Sequence, residues 1–134
     1  MKQFLLDTNV VSELRKPKPH GSVVAWLNQL RDDQIFLSAV TLAELQAGME
    51  RTRAQDAKKT QEIESWVDQL ADSIQVLPTD ALCLREWACL MSGKSDALIE
   101  DAMIAATARV HGLTVATRNE RDFKVFGVAL LNPF

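Results

Sequence analysis

The sequence predicts an α/β fold: a three-layer α/β/α sandwich around a small, mainly parallel sheet of five strands. Three observations carry that expectation. Five short apolar runs, at 4–6, 35–37, 74–77, 113–117 and 128–131, are closed by polar residues or proline, as buried strands are. Segments with helical periodicity separate them, so successive strands need crossovers and pair in parallel. At 134 residues, 47% hydrophobic and 25% charged, the chain suits one domain, 1–134, with a single core.

Taken in order, Phe4-Leu5-Leu6 runs straight into Asp7. That acid stands at the C-terminal end of the first strand, where open α/β sheets place their ligands. Asn9 to Arg15 reads as a short helix stopped by Lys16-Pro17-Lys18-Pro19-His20, because proline cannot continue a helix. Gly21-Ser22 offers an N-cap for a helix through Val23, Val24, Trp26, Leu27 and Leu30. After the second strand, Ser38 can cap a helix over 40–51 with Leu42, Leu45 and Met49 on its apolar stripe. A polar stretch over 52–60 leads to a second amphipathic segment carrying Ile63, Trp66, Val67 and Leu70, and the two read as a helical hairpin. Pro78 closes the third strand, and Thr79 or Asp80 opens a helix through Leu82, Leu84, Trp87 and Leu90. Gly93-Lys94-Ser95 breaks that helix. Ser95 or Asp96 then caps another that reaches His111 and ends at Gly112.

Composition narrows the classes. No apolar run approaches the ~20 residues that span a bilayer, and Met1-Lys2-Gln3 followed by three apolar residues is no signal peptide, so a cytoplasmic protein is expected. Two cysteines, Cys83 and Cys89, with no CxxC and two histidines, indicate neither a disulfide framework nor a zinc site; both read as buried thiols. The net charge of −3 has the wrong sign for a protein that holds nucleic acid through a basic surface. Acids loaded with divalent cations reverse the local field, so a nucleic-acid enzyme is not excluded.

Four acids recur at equivalent places. Asp7 ends the first strand, Glu44 lies in the helix after the second, Asp101 in the helix before the fourth, and Asp122 beyond the fourth. Glu44 has Ala47 and Gly48 at i+3 and i+4; a mid-helix Gly costs about 1 kcal/mol relative to Ala, so close approach is expected there. Asp101 heads an alanine-rich helix that can pack tightly on a sheet. Converging carboxylates repel unless something positive sits among them, and oxygen-only sites favour hard cations, Mg²⁺ or Mn²⁺. Such a site suits metal-assisted hydrolysis of a phosphodiester. The plainer reading of the same acids is helix capping and dipole pairing.

The motifs that break this tie are Leu6-Asp7-Thr8-Asn9, Thr41-Leu42-Ala43-Glu44-Leu45, Asp101 through Ala108, Thr117-Arg118-Asn119 to Asp122-Phe123, and Leu131-Asn132-Pro133-Phe134. In this order, across essentially the whole chain, they resemble the PIN-domain family, specifically the VapC/FitB-like toxins of bacterial toxin–antitoxin pairs. The resemblance implies a PIN sandwich with sheet order 3-2-1-4-5. It implies that Asp7 and Asp101 hold the metal most directly, with Glu44 between them and Asp122 as a looser fourth acid. Asn9 and Thr117 match small polar positions that orient a carboxylate or water. The implied activity is a Mg²⁺- or Mn²⁺-dependent endoribonuclease using metal-activated water and leaving a 5′-phosphate and a 3′-hydroxyl. A homodimer is implied, as is a cognate VapB/FitA-like antitoxin whose C-terminal segment wraps a groove and blocks the acids.

Other residues have smaller claims. Arg15 and Lys16, with Lys18 and His20, could grip an RNA backbone near the acids, as could Arg118; solvated surface charge is the plain alternative. Glu100 and Asp96 fit surface or capping roles. Trp26, Trp66 and Trp87 lie on apolar helical stripes and read as packing. An aspartyl-phosphate phosphatase would need Asp-x-Asp after the first strand, and position 9 is Asn. A non-enzymatic module that pairs with a DNA-binding partner and represses transcription is the main alternative to the nuclease.

Overall fold

The computed structural model describes all residues, Met1–Phe134. Strands β1 (Phe4–Leu6), β2 (Ile35–Ser38), β3 (Gln75–Leu77), β4 (Thr114–Ala116) and β5 (Leu130–Leu131) form one sheet in the order β3-β2-β1-β4-β5. Every pairing is parallel, with Leu6 opposite both Leu37 and Ala116. Helices α1 (Thr8–Glu13), α2 (Gly21–Asn28), α3 (Ala39–Arg53), α4 (Ala57–Ser73), α5 (Ala81–Met91), α6 (Ile99–His111) and α7 (Glu120–Lys124) supply the crossovers.

The strand pleat sorts the core. Alternate residues face opposite sides of a sheet, so Leu5 and Val115 join Ile104, Ala105, Ala108, Phe123 and Phe126 on one face. Phe4, Leu6 and Ala116 join Val10, Val11, Val23 and Leu70 on the other. Both faces are covered, which is why β1 reads as an unbroken apolar run. The alanines of α6 let its backbone sit close to the sheet, and Ala102, Ile104, Ala105, Ala106 and Ala108 are all fully buried. Truncating Ile104 to Ala would cost roughly 2–5 kcal/mol. Trp26 packs edge-on against Phe4 with ring centroids 5.0 Å apart, and the Trp87 indole N–H donates to the Ile99 carbonyl. The tryptophans are packing residues.

Some boundaries and caps differ from the sequence expectation, while others settle an alternative it left open or agree with it. The α2 cap is His20, whose Nδ1 accepts from the Ser22 N–H, and not Gly21-Ser22. Asp56 caps α4, so the polar stretch between the hairpin helices is only 54–56 and Lys58 to Thr60 are already helical. Asp80, rather than Thr79, opens α5 by accepting from the Cys83 N–H. Ser95 caps a single 3-10 turn, Asp96–Leu98, that leads into α6. Gly112 ends α6 at φ +66°, a left-handed conformation that glycine adopts without strain. The short helix α7 carries no periodicity long enough to predict.

The hairpin and α5 bury less than their apolar stripes imply. On α3 the buried residues are Val40, Thr41 and Met49, with Leu42 and Leu45 only partly covered. On α5, Leu82 and Leu84 are 61% and 41% exposed, and Cys89 is exposed where a buried thiol was expected; Cys83 is buried. No helix is long and apolar enough to cross a membrane.

Candidate active site

Because β1 and β4 are parallel neighbours in register, the residues that follow them, Asp7 and Thr117, emerge side by side. The ladder runs one step further, with the Asp7 N–H donating to the Ala116 carbonyl at 2.9 Å. Asp7 is 4% exposed. One of its oxygens caps α1 by accepting from the Thr8 N–H at 2.8 Å. The other accepts from the Thr117 hydroxyl at 2.8 Å and from the Asn9 amide at 3.2 Å. Thr117 in turn accepts from the Asn119 N–H, and Asn9 accepts from the Arg118 N–H. Burial pushes the Asp7 carboxyl above its usual range, against the bonds from Thr117 and Thr8 that favour the charged form. Its geometry is fixed by its neighbours.

Glu44 reaches the same end of the sheet from α3. Ser38 starts that helix at the tip of β2, and Glu44 lies on its second turn, facing α1. The Thr8 hydroxyl donates to Glu44 Oε1 at 2.8 Å and lies 3.1 Å from the buried Thr41 hydroxyl. Half-burial raises the Glu44 carboxyl most, the Thr8 bond opposes this, and the Asp7 and Glu100 charges add to it. Thr8 and Thr41 were missed by sequence reasoning. The signal was available in Thr8, a hydroxyl on the first turn after a strand-end acid.

Asp101 sits in the first turn of α6, where the helix dipole favours a carboxylate. It is nevertheless pushed up to about 6, first by burial and then by the charges of Asp7, Asp122, Glu44 and Glu100; no hydrogen bond relieves it. Asp122, exposed in the first turn of α7, therefore lies within electrostatic reach of Asp101. Glu100 belongs to this neighbourhood too, although it is exposed and its sequence context reads as ordinary surface. The four expected acids share one field at the C-terminal end of the sheet. Even so, no three carboxylates stand close enough together to form a metal-holding group. As a donor set, all oxygen and mutually repelling, they fit a hard divalent cation in chemistry.

The basic residues separate clearly. Lys16 Nζ is 2.8 Å from the buried Glu13 carboxylate and so is already paired. The Arg118 guanidinium lies over the Phe134 ring at 3.9 Å. Arg15 lines a cleft of about 380 Å³ that also holds Thr8 and Glu44. Gly48 borders this cleft, and a side chain there would meet only Arg51 Nη2, at 3.7 Å. The close approach expected at Gly48 is therefore absent.

Comparison with known proteins agrees with this architecture. Residues 4–128 match the family described as PIN domain. The chain is 38% identical to Toxin FitB of Neisseria gonorrhoeae, covering 98% of each chain. It is 36% identical to VapC ribonuclease Y4jK of Sinorhizobium fredii, over 98% of this chain and 97% of that one. Among solved structures, FitAB bound to the IR36 DNA fragment superposes with a TM-score of 0.82 at 34% identity, over 98% of this chain and 95% of that one. With the sheet order and the match in agreement, the chain belongs to the PIN-domain family, among relatives named FitB and VapC.

Proposed function

We propose that this chain is the toxin of a toxin–antitoxin pair and acts as a divalent-metal-dependent endoribonuclease. The observation that carries the reading is the Asp101 carboxyl, raised to about 6 by burial and by four other acids in a protein whose sheet ends there. Such displaced values gather at functional sites. Asp7 and Asp101 would hold Mg²⁺ or Mn²⁺, with Glu44 and Asp122 beside them. The ion would supply a Lewis acid that lowers the pKa of water and screens the phosphodiester. The chain's own residues do the positioning. Thr117, Asn9 and the Thr8 N–H fix both Asp7 oxygens, and the Thr8 hydroxyl orients Glu44. The relative named a VapC ribonuclease supports the nuclease reading, and the one named Toxin FitB supports the toxin reading. We also propose a VapB/FitA-like antitoxin as partner, and a homodimer.

The test is RNA cleavage with added Mg²⁺ or Mn²⁺, comparing the wild type with Asp7→Asn and Asp101→Asn. Cleavage by the wild type alone supports the site; equal cleavage by all three proteins would place the activity elsewhere. A second reading, a non-enzymatic partner in a DNA-binding complex, is favoured by two observations. The carboxylates form no tight chelating group, and the FitAB relative is bound to DNA. Wild type that cleaves no RNA with either ion, yet joins a partner on operator DNA, would select it.

A further inference from the structure

We propose that the cleft between α1 and the α3–α4 hairpin is the track that holds the RNA backbone on one side of the cleaved phosphate, with Arg15, Arg51 and Lys59 as its phosphate contacts. This rests on the nuclease reading above and assigns its substrate a path.

The cleft opens at the acids, because Thr8 and Glu44 line it. Its volume is about 380 Å³, and it shares Arg15 and Ile63 with a second hollow of about 240 Å³ that brings in Lys59. The two hollows meet at Arg15 and Ile63, and their charged lining is Arg15, Arg51 and Lys59 against Glu44 and Glu62. The cations have no partners: the five ion pairs of the structure involve Lys16, Arg31, Arg53 and Arg109, and none of these three. The contrast on α3 is direct. Arg53 is held by both Glu50 and Glu64 at 3.1 Å, whereas Arg51, two residues earlier, lines the cleft with no carboxylate on it. Gly48 gives a second, independent reason. A mid-helix glycine costs about 1 kcal/mol, and nothing packs against it to offset that cost. Its effect is to leave the cleft wall bare beside the Arg51 guanidinium.

Guanidinium groups bind phosphate in a planar two-pronged way, and such contacts hold a backbone without reading its sequence. On a chain of net charge −3, a groove whose three unpaired cations outnumber its two carboxylates, and which begins at an acidic site, points to a polyanion spanning both. RNA is that polyanion. Binding along this track is sequence-tolerant and falls steeply with salt.

The experiment measures anisotropy of a short fluorescein-labelled single-stranded RNA in EDTA, where cleavage plays no part, with the full chain. Arg15→Gln/Arg51→Gln is expected to weaken binding by about tenfold or more, and to reduce the slope of log affinity against log salt by about 1.4. Arg53→Gln leaves both unchanged, and Arg15→Lys/Arg51→Lys restores most of the slope, which a merely unfolded variant could not do. Wild-type affinity in the Gln pair, equal loss in Arg53→Gln, or no RNA binding by the wild type overturns the proposal. Displacement of the RNA by poly-glutamate at equal charge overturns it in favour of an acidic protein tail. The two levels separate cleanly. Binding that depends on Arg15 and Arg51 in a wild type that never cleaves supports the track and sinks the nuclease. Wild-type cleavage that is unaffected by the Gln pair sinks the track alone.

Discussion

Asp7 and Asp101 stand at the same end of the sheet and are held in opposite ways. Asp7 is nearly inaccessible and receives hydrogen bonds from Thr8, Asn9 and Thr117 on its two oxygens. Asp101 is half-buried, receives none, and faces four other carboxylates. The first is oriented by the protein alone. The second is charged against its surroundings, and a cation is what would relieve it. On the metal-site reading proposed above, the two would divide the labour: Asp7 would set the position of the ion and Asp101 would supply the pull for it.

The largest test of this division is activity. Asp7→Asn and Asp101→Asn should each reduce RNA cleavage by more than about 100-fold, since both are assigned to the ion; an unaffected variant removes that residue from the site. Next comes Thr8→Val, which deletes the bond to Glu44 while keeping the α1 cap. Loss of a supporting bond of this kind should lower metal affinity about tenfold, read by titrating Mn²⁺. Stability then separates the two aspartates. Asp7→Ala leaves the buried Thr117 hydroxyl and the Asn9 amide short of an acceptor and should cost about 1–3 kcal/mol in urea unfolding. Asp101→Asn removes a repelled charge and should raise the melting midpoint in EDTA at neutral pH. The smallest effect is on pH. The folded pKa of Asp101, about 6, lies above its ordinary 3.8, so the folded state binds the proton more tightly. The resulting stability is complete below 3.8 and is lost as pH rises through about 6. In EDTA the melting midpoint should therefore rise as pH falls from 7 toward 5, with a weaker trend in Asp101→Asn. A flat wild-type profile would mean the repulsion at Asp101 is not there.

Strands and crossovers were legible because burial on both faces writes itself as short apolar runs. The caps were partly legible. Ser38 and Asp80 use ordinary cap chemistry, but an imidazole nitrogen accepting at His20 lies outside the usual cap residues. The exposure of Leu82 and Leu84 was not legible, since periodicity shows that a helix has an apolar face and says nothing of what covers it. At the site, all four acids could be named from motifs, while the hydroxyl of Thr8 could not be joined to Glu44, 36 residues away, without the crossover geometry. Glu100 escaped for an electrostatic reason. Its influence on Asp101 acts through space from an exposed position, and no pattern of burial marks it.

The loop between α1 and α2 looks like the softest point of the chain, with Arg15, Lys16 and Lys18 on the surface. Its geometry argues otherwise. The buried Glu13 carboxylate takes Lys16 Nζ on one oxygen and the His20 N–H on the other, each at 2.8 Å, closing the loop on itself. Both lysines are followed by proline, and trypsin does not cut Lys–Pro bonds. Tryptic cleavage within the loop is therefore confined to the Arg15–Lys16 bond at its α1 end, and the segment from Lys16 to Gly21 should stay in one piece under limited digestion.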